Sequence, residues 1–187
     1  MANTIFDYLS NSSAITYIVL ALLSLYFILI VWIFVYKYFM LTSMIDNEKK
    51  SLESIFSRKS AVSSLSKLTK CINNNTYSKE LFSACELSII KDATKGIPWL
   101  SIVASTAPFI GLFGTVVGIL ESFAKFADEQ KVGFSVIAPA ISEALVATAA
   151  GIFVAIFAYT FHQILNRKVY ELHTYLKSQA QILLSRV

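Results

Sequence analysis

The sequence is poor in charge. Asp, Glu, Lys and Arg make up 15% of its 187 residues, whereas 56% are hydrophobic. Soluble globular domains carry about 25% charged residues, so the shortage argues against a water-soluble protein. The two cysteines and the two histidines match no zinc or redox spacing, which disfavours a metal site. No nucleotide loop, catalytic triad or repeat is found, so we expect neither an enzyme nor a cofactor.

Three apolar stretches are long enough to cross a bilayer, which takes about 20 residues. Residues 14–36 and 97–120 carry no charge, and 132–161 carry only Glu143. The sequence therefore predicts an all-α membrane protein with three transmembrane helices. The first thirteen residues contain Asp7 but no Lys or Arg, so we expect the first helix to be retained rather than cleaved as a signal peptide. The predicted segments are an outer amino terminus (1–13), transmembrane helices (14–38, 97–122 and 134–165), a cytoplasmic helical segment (39–96), a periplasmic loop (123–133) and a cytoplasmic carboxyl-terminal helix (166–187).

The positions of the basic residues predict the orientation. Ten of the sixteen lie between Lys37 and Lys95, and four more follow the third span. Because Lys and Arg accumulate on the cytoplasmic side, the amino terminus is predicted to point outward and the carboxyl terminus inward. Acidic residues are interleaved with these basic ones, so we give nucleic-acid binding little weight. Cys71 and Cys85 lie in the same segment, and we expect them to be reduced, buried side chains.

The cytoplasmic segment is predicted to form a helical hairpin. Apolar residues recur at helical spacing from Leu52 to Ile72, three asparagines follow, and a second helix is expected from about Ser78 until Lys95 and Gly96 end it. The long transmembrane helices are predicted to extend into this region. In the first span, large side chains lie on all sides, which favours contact with lipid.

The second and third spans carry stripes of small residues. Such stripes let membrane helices approach closely, so we predict that these two spans pack tightly. The predicted packing positions are Gly111, Gly114, Gly118, Ala144, Ala147 and Gly151. Pro108 and Pro139 lie inside the two spans and are candidate kink positions.

Glu143 is the only Asp, Glu, Lys or Arg in the apolar stretch 132–161. An isolated carboxylate within a membrane is costly, so it is expected to face a partner, a water-filled cavity or the interior of a helix bundle, or else to take up a proton. The alternative is that Glu143 lies near the outer interface and bonds a neighbouring helix.

Thr115 and Thr148 are predicted to lie at one depth. Each is seventeen residues from a cytoplasmic helix end, at Pro98 and Leu165 respectively. Two hydroxyls at one level can order water beside a passing proton or cation. The alternative is that each hydroxyl bonds the carbonyl four residues earlier in its own helix, as Thr often does in membrane helices.

Two segments, STAPFIGLFGTVVGI at 105–119 and APAISEALVATAAG at 138–151, resemble the signature of the TolQ/ExbB/MotA proton-channel family. The short amino terminus and the three spans are similar to the TolQ and ExbB branch. The residues at 97–100, IPWL, and the compact amino terminus favour TolQ. This chain has a shorter cytoplasmic section than usual, and Ala140 where the family commonly has Gly.

The resemblance implies an inner-membrane proton-channel subunit that forms a homopentamer around two copies of a single-span TolR- or ExbD-like partner, whose Asp carries the proton. It assigns Thr115, Thr148 and Glu143 to the pore lining. It also implies that the complex energises a transducer protein. A TolA-like transducer would serve outer-membrane integrity and cell division in the Tol-Pal system, and a TonB-like transducer would serve TonB-dependent uptake. The competing hypothesis is a non-conducting scaffold, in which the same small residues serve only oligomer packing.

Overall fold

The computed structural model describes residues 14–56, 79–127 and 134–185, and these form four helices: α1 (Ala14–Phe56), α2 (Lys79–Thr94), α3 (Ile97–Ala127) and α4 (Phe134–Leu184). Three of the four are long and apolar enough to cross a membrane. The prediction of an all-helical chain with three such helices is confirmed. Nothing in the structure fixes their orientation, which stays a prediction.

The helices run past the predicted membrane segments. α1 has 43 residues and α4 has 51, which at 1.5 Å per residue is roughly 65 and 77 Å. Pro108 and Pro139 lie inside α3 and α4, and neither interrupts its helix. A kink at either proline therefore stays a prediction.

The hairpin predicted for the cytoplasmic segment is described only in part. α1 continues through the predicted start of the first cytoplasmic helix as far as Phe56, and residues 57–78 lie outside the described part. The second helix is confirmed as α2, and Gly96 ends it with φ +89°, a left-handed conformation that suits glycine after a helix. Cys85 is buried as expected. It is disulfide-bonded, so the expectation of a reduced thiol is wrong for this residue; Cys71, the only other cysteine, lies outside the described residues.

The chain divides into two compact units. The first contains residues 14–31 of α1, 99–127 of α3 and 134–160 of α4. Within it, α1 buries one face, so the expectation that this span contacts lipid on all sides is wrong. The buried face follows helical spacing because it packs against the other helices, and its members include Thr16, Val19, Leu23 and Ile30.

The second unit contains residues 32–56, 79–98 and 161–185. Its core is built from large side chains, including Leu41, Phe82, Leu165, Leu172 and Leu176, all almost fully buried. Aromatic rings also stack within it, since the rings of Phe34 and Phe161 lie 4.1 Å apart.

Long polar side chains are buried in the second unit as well. The Lys37 ammonium donates to the carbonyls of Asp92, at 3.4 Å, and Ala93, at 3.3 Å, in the last turn of α2. The carbonyls at a helix carboxyl end lack intrahelical donors and carry partial negative charge, so this lysine stabilises that end of α2. The Gln179 amide donates to the Glu48 carbonyl at 2.7 Å and to its carboxylate at 3.1 Å.

Candidate ion pathway

The backbones of α3 and α4 touch where both helices carry glycine. A Cβ atom added to Gly111 would lie 2.6 Å from the Ala147 carbonyl oxygen, and one added to Gly151 would lie 2.5 Å from the Ala107 carbonyl oxygen. Neither distance leaves room for a methyl group. The helices can cross this closely only because both positions lack a side chain.

α1 joins the same contact one and two turns further along α3. A Cβ atom on Gly114 would lie 3.0 Å from the Val19 side chain and 3.1 Å from the Ala147 Cβ. On Gly118 it would lie 3.3 Å from the Ala144 Cβ and 3.5 Å from the Thr16 hydroxyl. The structure thus brings together all six small residues that the sequence singled out for packing.

Thr115 and Thr148 meet at this crossing. Their hydroxyls are in direct contact, so the prediction that they lie at one level is confirmed. Thr115 Oγ1 is also 3.2 Å from the Gly111 carbonyl oxygen of its own helix and 3.2 Å from the Ala144 carbonyl oxygen of α4. Thr148 Oγ1 is 3.3 Å from the Gly111 carbonyl oxygen of α3. The hydroxyls therefore bond between the helices, and Thr115 also has the local contact that the alternative predicted.

The hydroxyl pair has more acceptors than protons. Each hydroxyl carries one hydrogen and can accept through its lone pairs. When Thr115 donates to Thr148, Thr148 can donate to Gly111; when Thr148 donates to Thr115, Thr115 can donate to Ala144 or Gly111. In either direction both hydroxyl protons are used in hydrogen bonds, and the choice of carbonyl acceptor differs. The pair can thus present a donor or an acceptor to a third group.

Glu143 lies on α4 five residues before Thr148. That separation corresponds to a rise of about 7.5 Å and a turn of about 140°, which places its side chain on a different face from Thr148. Its side chain is partly exposed, yet its Oε1 atom is buried and has no hydrogen-bond partner among the described residues. No hydrogen bond joins Oε1 to the hydroxyl pair, and this oxygen is a buried acceptor that the described residues leave unbonded.

The sequence did not single out α1 as part of this site. Thr16 and Val19 contact the α3 glycines, and the hydroxyl of Tyr17 is buried without a hydrogen-bond partner in the described ranges. The only signal was the pair of Thr16 and Val19, three residues apart in a span otherwise rich in large side chains. Two residues at helical spacing are too few to predict which face of a helix packs.

Comparison with known proteins identifies the family to which these features belong. Residues 47–178 match the model of the MotA/TolQ/ExbB proton channel family. The chain belongs to this family. The match includes α2, α3 and most of α4, and it contains both threonines, Glu143 and all six packing residues. The family prediction made from the sequence is confirmed.

Named relatives come from both the ExbB and the TolQ branches of the MotA/TolQ/ExbB family. A putative biopolymer transport protein, ExbB-like 1, of Helicobacter pylori is 43% identical over 188 residues, covering 100% of both chains. The Tol-Pal system protein TolQ of Pseudomonas aeruginosa is 41% identical over 96 residues, 40% of this chain and 42% of the relative. The biopolymer transport protein ExbB of Pseudomonas putida is 43% identical over 79 residues, 42% of this chain and 24% of the relative.

Proposed function

We propose that this chain is a proton-channel subunit of a TolQ/ExbB-type motor in the bacterial inner membrane. The observation that carries the proposal is the contact between the Thr115 and Thr148 hydroxyls at the glycine crossing of two membrane-length helices. Hydroxyls do not ionise near neutral pH. The pair can pass or orient a proton but cannot hold one. Since none of the hydrogen bonds of the pair goes to Glu143, we assign the proton-carrying carboxylate to another chain.

A single-span TolR- or ExbD-like partner supplies that carboxylate in this proposal. Its protonated acid donates a hydrogen bond to one hydroxyl, and its ionised form accepts one, because the threonine pair offers both roles. Glu143 lines the same path from a neighbouring face of α4, with its unpaired Oε1 as a further acceptor. Several copies of this chain, five by resemblance, surround the partner, and the proton motive force drives the assembly.

Proton flux into proteoliposomes tests the proposal. The chain is reconstituted with its genomic partner as wild type, Thr148→Val and Thr148→Ser. Val has nearly the shape of Thr without the hydroxyl, whereas Ser keeps the hydroxyl. We expect flux to be lost in the Val variant and retained in the Ser variant.

A second threonine of α4 provides the matched control. Thr160 is exposed and bonds only the Ile156 carbonyl of its own helix among the contacts described, at 2.8 Å. Thr160→Val should therefore leave the flux unchanged. Normal flux through Thr148→Val in a correctly assembled complex would exclude the hydroxyl from the path.

The energised system has two candidates. The residues at the start of α3 and the compact amino terminus favour the Tol-Pal system, which has roles in outer-membrane integrity and cell division. A specific observation favours TonB-dependent uptake instead, because a relative aligned along the whole chain is named ExbB-like. Deleting the gene distinguishes the candidates: detergent sensitivity with chains of undivided cells supports Tol-Pal, whereas loss of iron-complex uptake with normal division supports TonB.

The scaffold hypothesis makes the opposite predictions for Glu143. It requires the carboxylate only to bond a neighbouring helix, so Glu143→Gln should be tolerated and no flux should accompany the complex. Among the described residues Oε1 makes no such bond. Loss of flux in Glu143→Gln, with the assembled complex intact, would exclude the scaffold.

A further inference from the structure

Two buried polar atoms of the first unit have no hydrogen-bond partner among the described residues. They are the hydroxyl oxygen of Tyr17 on α1 and the Oε1 atom of Glu143 on α4. A polar atom that is buried without a partner costs free energy. A phenol has a proton to donate, and a carboxylate oxygen accepts. The two groups are therefore matched in their chemistry.

α1 and α4 run side by side in the same direction and in a constant register. Two glycines of α3 each lie beside one residue of α1 and one of α4: Val19 with Ala147 at Gly114, and Thr16 with Ala144 at Gly118. The residue numbers differ by 128 in both pairs. Further along, the ring of Phe27 lies 5.8 Å from that of Phe153 and 5.7 Å from that of Phe157, on either side of the position that the same difference gives. Glu143 is thus level with Ile15, two residues or about 3 Å of rise before Tyr17.

Tyr17 and Glu143 also lie on the facing sides of these two helices. A groove between α1 and α4 is lined by Ser24 from the first helix and Ala150 from the second. Tyr17 precedes Ser24 by seven residues, and Glu143 precedes Ala150 by seven. Because seven residues bring a helix back to within about 20° of its starting direction, both residues face the continuation of this groove, two turns nearer the start of each helix.

The directions of the two side chains bring their polar ends together. Side chains of an α-helix lean toward its amino end, so Tyr17 and Glu143 lean the same way in helices that run in the same direction. Tyr17 begins about 3 Å further along its helix, and its side chain is the longer of the two. Its hydroxyl therefore reaches back to the level of the Glu143 carboxylate.

We propose that Tyr17 is a positioning residue for Glu143 and holds its carboxylate in the groove between α1 and α4 through a hydrogen bond bridged by one water molecule. The two atoms are not bonded to each other directly, and a water molecule often links buried polar groups in this way. The bond keeps Glu143 turned toward α1 and leaves the threonine pair to the acid of the partner. This role rests on the proposed place of Glu143 in the proton path, whereas the hydrogen bond itself does not.

Infrared spectroscopy of the complex with its genomic partner tests the hydrogen bond. In acidified proteoliposomes, the carboxyl C=O band that Glu143→Gln removes belongs to protonated Glu143. We expect Tyr17→Phe, which deletes only the hydroxyl, to move this band to higher frequency, because a carbonyl that loses a hydrogen bond has a stiffer C=O bond. Tyr159→Phe, at a residue of α4 that is 59% exposed, should leave the band in place. An unmoved band in Tyr17→Phe would overturn the proposal.

A double-mutant cycle provides a second test that needs no protonated carboxyl group. Thermal unfolding is compared for Tyr17→Phe, Glu143→Met and the double variant, since Met has about the length of Glu and no carboxylate. We expect Tyr17→Phe to lower the melting temperature of the wild type and to have little further effect beside Glu143→Met, because residues in one hydrogen-bond network are coupled. Equal shifts in both backgrounds would contradict the bond.

Proton flux tests the positioning role separately. Tyr17→Phe should reduce the flux several-fold, and Tyr159→Phe should leave it unchanged. Normal flux through Tyr17→Phe, together with a shifted infrared band, would overturn the positioning role although the hydrogen bond exists. Conversely, a wild-type complex that conducts no protons but shows both the band shift and the coupling would contradict only the proposed function.

Discussion

In the first unit, α3 and α4 meet where side chains are absent, whereas the second unit buries some of the largest apolar side chains of the chain. Gly111 and Gly151 bring two backbones into contact; Leu172, Leu176 and Phe82 are almost fully buried in the other unit. Lipid is as apolar as leucine, so helices in a membrane gain little by burying large side chains and depend on close backbone approach. Where water is the solvent, burying apolar area is itself the driving force. The difference fits the prediction that residues 14–38, 97–122 and 134–165 cross the bilayer, because most of the first unit lies within these ranges.

The buried polar groups differ in the same way. The first unit buries short hydroxyls that bond the backbone or each other, as Thr115 does. The second buries the Ser51 hydroxyl and, unlike the first, also long side chains with charged or amide ends: Lys37, Glu48 and Gln179. A long side chain reaches across a wide interface, whereas a hydroxyl bridges helices that nearly touch.

The largest effect is expected from removing a large core side chain of the second unit. Leu172→Ala should reduce the free energy of unfolding in detergent by about 2–5 kcal/mol, because it removes buried apolar contacts and leaves a cavity. Thermal unfolding followed by circular dichroism measures the loss. The matched control is Tyr170→Ala on the same helix, where the side chain is 73% exposed. Equal losses in both variants would contradict the role given to the buried leucines.

Adding a methyl group at the glycine crossing should have the next largest effect. Gly151→Ala places its Cβ against a backbone oxygen that cannot move aside, so we expect a loss of about 1–3 kcal/mol, as in other overpacked cores. Gly118→Ala meets a side-chain methyl at 3.3 Å and should cost less. Denaturation in mixed micelles compares the two. If Gly118→Ala proved the more damaging, the crossing point would be placed incorrectly.

Replacing the buried amide of the second unit should have a smaller effect. Gln179→Met keeps nearly the same shape but removes the donor to the Glu48 carbonyl and carboxylate. Leaving buried acceptors without that donor is expected to cost about 1–2 kcal/mol. Urea titration measures the change, and Gln181→Met, at an exposed position two residues later, is the control. An unchanged midpoint for Gln179→Met would mean that water replaces the amide.

The smallest effect is expected at the surface of α1. Lys50 donates to the Asp46 carboxylate at 2.6 Å, one turn apart, and this hydrogen bond raises the pKa of Lys50. Both side chains are more than half exposed, and solvated pairs of this kind contribute little. Asp46→Asn should leave the melting temperature within error of wild type. A clear shift would show that this face is covered in the assembly.

The features that the sequence predicted are the local ones. Apolar length predicted three spanning helices, and Gly96 predicted the end of α2. The matching distances of Thr115 and Thr148 from two helix ends predicted that the two hydroxyls share a level, because a regular rise converts residue number into depth.

What could not be predicted depends on long-range contacts. The burial of Lys37 requires α2 to end beside it, 55 residues later in the chain. Likewise, Gln179 reaches Glu48 across 131 residues. Neither pair has a spacing that periodicity can reveal. The buried face of α1 was also missed, because large residues on every side hide which side packs.

The reversible hydrogen bond between Thr115 and Thr148 has a consequence for repeated transport. When one hydroxyl gains a proton and the other hydroxyl loses one, the direction of the hydrogen bond between them is reversed. The pair then stays in the reversed arrangement after the transfer. A further transfer in the same direction must wait until both hydroxyls have rotated back. The proposed path therefore cannot pass a second proton in the same direction until this rotation is complete. Such a pause is more typical of a motor that moves one proton per step than of an open pore.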